Sequence, residues 1–194
     1  MGWDFKFYTI KKFKDVVNGD DIKLERINLE GDDRCVDVLS YAYTDVDGKV
    51  CRSSMIFPYF GLIDGESKMD YGYCNYGGDP FPLLYQLYKR HGVMVFDEDE
   101  LYYGSLCSVD EEKVDKEVMS CLWRLRAKID TLSYAKRFVA DFSDEDMFEL
   151  EKSVDEYERL LEGCPRIDTE QGKSSELSAC TYDESCAVDD DNIF

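Results

Sequence analysis

Hydrophobic and polar positions alternate from the start of the chain. Trp3, Phe5 and Phe7 are separated by Asp4, Lys6 and Tyr8, the two-residue period of a half-buried strand. Lys11 to Asn18 fits two helical turns burying Phe13, Val16 and Val17, with Gly19 as the stop. Ile22, Leu24, Ile27 and Leu29 predict a second strand, and the slip of phase between the two pairs predicts a bulge or bend. The strongest β pattern runs from Arg34 to Thr44 and from Lys49 to Phe57 around Asp47-Gly48. Asp-Gly suits a two-residue type I′ turn, which needs two positive φ angles. That register sets Cys51 opposite Thr44 and leaves Cys35 far up the other strand, which excludes a bond between the two thiols.

From Pro58 to Pro82 the chain is rich in Gly, Tyr and Asp and has no clear period, so a long loop is expected. Asp79-Pro80 predicts a helix start and Gly92 its end, with Leu83, Leu84, Leu87 and Tyr88 as the apolar stripe. Val93 to Phe96 reads as a short buried strand, closed by the acidic run Asp97-Glu98-Asp99-Glu100. The pattern then becomes helical. Ser108-x-x-Glu111 predicts a capping box, and Val114, Val118, Cys121, Leu122, Leu125, Ile129 and Leu132 recur at helical spacing.

A turn at Phe142-Ser143-Asp144 leads to a second helix, capped by Ser143 and ended at Gly163-Cys164-Pro165. Its seam is Met147, Leu150, Val154, Tyr157 and Leu161. The short connection makes the two helices antiparallel. Counting from the turn sets Lys128 near Glu158 and leaves Val114, Val118 and Cys121 on an overhang that needs the sheet as its partner. The expected fold is thus α+β: a small, mostly antiparallel sheet packed on a C-terminal antiparallel helical hairpin. It forms a single domain over 1–165, and 166–194 is an acidic tail expected to be disordered in isolation.

Charge narrows the function. The 194 residues carry a net charge of −20, with −7 over 1–107, −7 over 108–165 and −6 over 166–194, so the acidity belongs to the body as well as the tail. Such a field repels phosphate backbones and anionic lipid and attracts basic protein surfaces. The cationic run Arg124, Arg126, Lys128, Lys136 and Arg137 faces Glu149, Glu151, Asp155, Glu156, Glu158 and Glu162 in the predicted hairpin, so internal pairing is expected. No apolar run is long enough for a membrane span, and Met1-Gly2-Trp3-Asp4-Phe5-Lys6 lacks the layout of a signal peptide, which predicts a cytoplasmic protein.

Chemistry-bearing motifs are sparse. The eight cysteines include no C-x-x-C pair, so free thiols are expected. With one histidine, zinc sites needing two are excluded, and His91 before Gly92 is placed to complement a helix dipole. Aligning Asp45-x-Asp47-Gly48 on a calcium loop puts Tyr43 and Ser54 at ligand positions, and Gly77-Gly78-Asp79-Pro80 lacks the Gly-Lys-Ser/Thr of a phosphate loop. The E-x-K of Glu111-Glu112-Lys113, found in some nucleases, falls in a predicted first helical turn of an acidic body. No catalytic residue, metal or cofactor is assigned.

Residues expected to bind a partner are therefore aromatic or acidic: Tyr59, Phe60, Tyr71, Tyr73 and Tyr76 of the loop, Asp97, Glu98, Asp99 and Glu100, and Asp189, Asp190, Asp191 and Phe194 at the end. The terminal Asp189-Asp190-Asp191-Asn192-Ile193-Phe194 resembles the C-terminal tip of bacterial single-stranded-DNA-binding proteins, with Asn192-Ile193 where those tips have Ile-Pro. That resemblance covers six residues and implies docking on basic, apolar-floored pockets of replication and repair partners.

The expected function is a non-enzymatic acidic protein-binding module. It would be an inhibitor that occludes a basic nucleic-acid-handling protein, as a phage or mobile-element DNA mimic or an immunity protein does, without binding nucleic acid itself. The alternatives are a single-strand-binding or replication and repair accessory protein with a C-terminal recruitment tail, and a hydrolase using His91.

Overall fold

The computed structural model of the chain describes residues 3–8, 21–28, 35–57, 71–74, 78–97 and 103–167. Six strands form one sheet: β1 Trp3–Tyr8, β2 Ile22–Asn28, β3 Cys35–Thr44, β4 Val50–Phe57, β5 Tyr71–Cys74 and β6 Met94–Phe96. Their order is β2-β3-β4-β5-β1-β6, and every neighbouring pair is antiparallel. Three helices complete the α+β body: α1 Phe81–His91, α2 Lys116–Phe138 and α3 Asp144–Glu162. The predicted 11–18 helix and the 166–194 tail, apart from Arg166 and Ile167, lie outside the described residues.

Alternation in β1 does what its period predicts: Phe5 and Phe7 are buried on the helix-facing side of the sheet. That strand lies inside the sheet, between β5 and β6, so the first strand of the chain helps to seed the core. On the same face Leu39 pairs with Met55 and Asp37 with Phe57, and α1 covers them with Phe81, Leu83, Leu84 and Leu87. The apparent phase slip in β2 is not a bulge. Pairing with β3 is continuous from Ile22↔Tyr41 to Asn28↔Cys35, and the extra apolar residue, Ile27, is exposed at the sheet edge.

The β3–β4 connection also departs from expectation. Thr44 pairs with Val50 and Tyr43 with Cys51, one residue out of the two-residue-loop register. Asp45 N–H donates to Lys49 C=O at 2.9 Å and Gly48 N–H to Asp45 C=O at 3.1 Å, leaving Val46-Asp47-Gly48 as a three-residue loop. Within this loop only Gly48 has a positive φ, +78°, so one glycine in the left-handed region closes the turn where type I′ would require two such residues. Asp45 decides this locally: its carboxylate accepts from the N–H groups of Asp47 at 3.0 Å and Lys49 at 2.8 Å. Cys35 and Cys51 are free thiols.

The helical layer is built around α2. One side of it faces the sheet and α1 through Ala127, Thr131, Tyr134 and Phe138, and Thr131 Oγ1 accepts from Val95 N–H at 2.8 Å. Its other side meets α3 through Leu122, Leu125, Ile129 and Leu132 against Leu150, Tyr157 and Leu161. The helix starts at Lys116, capped by the Asp115 side chain on Glu117 N–H at 2.8 Å, not at Ser108. The 105–108 and 111–113 segments are separate single turns, and the Ser108 hydroxyl accepts from the Arg166 guanidinium at 2.5 Å.

Val114, Val118 and Cys121 consequently pack on a second cluster with Leu106, Val109 and Cys164 and do not reach the sheet. In the α2–α3 hairpin Lys128 pairs with Glu149 at 2.6 Å in place of Glu158, and Arg126 lies over the Tyr157 ring at 5.5 Å. Ser143 caps α3 as expected, in a capping box closed by Asp146.

Candidate functional site

Three separated stretches of chain enclose a groove of about 730 Å³: the end of β3 and its turn, the start of α1, and the α2–α3 connection. Strand pleating puts Tyr41, Tyr43 and Asp45 on one face, because residues two apart in a strand point the same way. The Tyr41 and Tyr43 rings stack at 6.2 Å with 6° between their planes. Across from them lie Tyr85 and Gln86 of α1 and Phe138, Val139, Ala140 and Asp141 from the end of α2. Asp79 and Pro82 close the groove beside the α1 N-terminus.

The α1 end of the groove is held from the sheet. The buried Ser53 hydroxyl of β4 donates to Asp79 C=O at 2.6 Å and accepts from Leu83 N–H at 3.1 Å. One side chain therefore satisfies a backbone donor in the first turn of α1, a group that has no partner within the helix. The Asp79 carboxylate accepts from Phe81 N–H at 3.1 Å, as the predicted Asp79 cap would, although helix α1 itself runs from Phe81, one residue later than the predicted Asp79-Pro80 start. The α3 end is pinned by Asp146, which accepts from the Tyr85 hydroxyl, from Lys89 Nζ at 2.8 Å and from the Ser143 hydroxyl at 2.5 Å. Both walls are thus tied to rigid elements.

Electrostatically the groove is one-signed. Its lining includes Asp45, Asp79 and Asp141 and no Lys or Arg. Partial burial lifts the Asp79 carboxyl above its usual range, against the pull of the Phe81 N–H and the Tyr43 hydroxyl. Burial raises the Tyr43 hydroxyl too, with the facing Asp79 charge adding to it. Asp45 is shifted the other way, held low chiefly by the Lys49 N–H and further by the Cys51 thiol at 3.4 Å. Aromatic faces beside carboxylates in a concave groove are chemically suited to a positively charged group.

Two smaller clefts lie elsewhere. Asp97 borders one of about 210 Å³ with Arg126, Asp130, Ser133, Tyr134 and Arg137. There it serves the fold: its carboxylate accepts from the Tyr134 hydroxyl at 2.6 Å and its N–H donates to Asp130 at 3.0 Å. The other, of about 470 Å³, has an apolar floor of Leu106, Val109, Trp123 and Ile167 and a rim of Asp110, Glu111 and Glu112. His91 is half-buried on the last turn of α1 and lines none of these three clefts. Among the described residues no group of three or more His, Cys, Asp and Glu is arranged to hold a metal ion, and no helix is long and apolar enough to cross a membrane.

The residues expected from sequence to bind a partner are not brought together by the described structure. Tyr71 and Tyr73 belong to β5, opposite Lys6 and Asp4 of β1, and Asp97 sits against α2. Tyr59, Phe60, Tyr76, Glu98, Asp99, Glu100, Asp189, Asp190, Asp191 and Phe194 lie outside the described residues. The groove residues carried a partial signal, since Tyr41-x-Tyr43-x-Asp45 places two rings and a carboxylate on one strand face. Nothing in the sequence announces that Asp79 and Asp141 join them. No protein-family model, curated protein or solved structure matches the chain.

Proposed function

We propose that the protein is a non-enzymatic acidic binding module whose groove between the β3–β4 turn, α1 and the α2–α3 connection receives a basic segment of a partner protein. The observation that supports this reading is the lining itself, with three carboxylates, four aromatic rings and no cation. The net charge of −20 extends the same preference over the molecule, steering a basic partner in and repelling phosphate backbones. The partner class that fits is a protein with a nucleic-acid-binding surface, whose basic patch is built to meet closely spaced negative charge. Occupying that patch makes the module an occluding inhibitor of the DNA-mimic kind.

The test is capture of partners on the immobilised full chain beside its Asp79→Asn/Asp141→Asn variant, which leaves the turn-holding Asp45 in place. The expected partner is basic, is released by added salt, is displaced by duplex DNA and binds the variant at least about tenfold more weakly, since two carboxylates of the groove are neutralised. Equal retention on the variant, or a complex indifferent to salt and DNA, overturns the proposal.

A further inference from the structure

The fold contains a filled example of cation recognition at the mouth of the groove. Arg90 of α1 sets its guanidinium carbon 5.8 Å from the centroid of the Tyr41 ring and forks onto the Asp21 carboxylate with two contacts of 2.7 Å. Ring and carboxylate together are matched to a guanidinium, since a planar fork can stack and donate in parallel where an ammonium acts as a point charge. Two residues along, Tyr43 repeats the arrangement. Its ring is parallel to that of Tyr41, its hydroxyl faces the Asp79 carboxylate, and Asp45 follows on the same strand face. Among the described residues no cation lies over the Tyr43 ring.

We infer that the groove is an arginine-specific subsite: Tyr43 stacks on an arginine side chain of the bound partner while Asp79 takes its guanidinium. This inference rests on the reading of the groove as a site for a basic protein segment and names the residue read there. The volume, about 730 Å³, exceeds what one side chain fills, so the arginine arrives on an extended peptide whose neighbours lie along Tyr85, Phe138 and Val139. Arg90 is not part of the lining and stays fixed behind Tyr41, because both of its hydrogen-bonding edges are engaged: Nε donates to Gln86 at 3.0 Å and the two terminal nitrogens donate to Asp21.

Two peptides that differ only in carrying arginines or lysines, in the same Gly/Ser background, test this by titration of the full chain at low salt with the tyrosine ring signals followed by NMR. The arginine peptide is expected to bind about tenfold more tightly, the difference a stacked guanidinium makes over an ammonium. Tyr43→Leu is expected to erase that preference and Tyr43→Phe, which keeps the ring, to retain it. Equal affinity for the two peptides, or a preference that survives in Tyr43→Leu, overturns the arginine assignment and leaves the basic-partner reading standing. No saturable change with either peptide overturns both.

Discussion

Asp130 and Asp146 are both almost wholly buried carboxylates, and their surroundings pull their proton affinities apart. Burial dominates at Asp130, lifting its pKa to about 6 although the Arg126 guanidinium beside it favours the charge. At Asp146 burial is again the largest single influence, but the Lys89 ammonium and the Ser143 and Tyr85 hydroxyls together outweigh it and hold the pKa at about 2.

Folded Asp130 keeps a proton that the unfolded chain releases from 3.8 upward, so its favourable contribution is complete below that pH and is lost as pH rises through about 6. Asp146 contributes fully above 3.8 and loses its contribution as pH falls through about 2. Urea midpoints measured across pH are therefore expected to peak near pH 4 and to fall toward neutrality. Asp130→Asn is expected to flatten the fall between pH 4 and 6, and an unchanged slope in that variant would contradict the assignment.

At the scale of elements, β5 is the strand that sequence reading passed over, and its composition explains why. Its four residues, Tyr71–Cys74, place a glycine at the core-facing position opposite Phe5, so no apolar alternation marks it inside the loop. Gly72 is required there by space. A Cβ at this position would lie 2.7 Å from Phe57 Cε1 and 3.1 Å from Phe7 Cε2, two rings of the buried core. Gly72→Val is expected to destabilise the fold by about 1–3 kcal/mol through overpacking, read as a lowered denaturant midpoint.

The other elements were legible to the degree that their signal was local. β1, the β3 and β4 strands, α1, β6 and α3 with its Ser143 cap all follow from residues within each segment. What local pattern could not decide was register and partnership. The β3–β4 turn depended on the Asp45 side chain taking two backbone N–H groups, and the start of α2 on Ser108 engaging Arg166 from the far end of α3. The overhang of α2 was legible as apolar, but which surface covered it depended on Leu106, in the 105–108 turn, and Val109, which bridges to Arg166, folding back against it.

For the molecule as a whole, acidity was plain from composition and the groove was not. Asp45, Asp79 and Asp141 are distant in sequence, and they meet because β4 holds the start of α1 through Ser53 while Asp146 ties Tyr85 and Lys89 of α1 to the start of α3. The fold thereby gathers part of a diffuse negative charge along a walled, aromatic groove. On the proposed function, binding is governed by that groove rather than by general acidity. The most direct measurement is residue-by-residue NMR mapping of the full chain as an arginine-rich peptide is added. Shifts are expected to concentrate at Tyr41, Tyr43, Asp79, Tyr85, Phe138 and Asp141 and to saturate together. Shifts spread over the acidic faces of α2 and α3, with the groove residues unmoved, would contradict it.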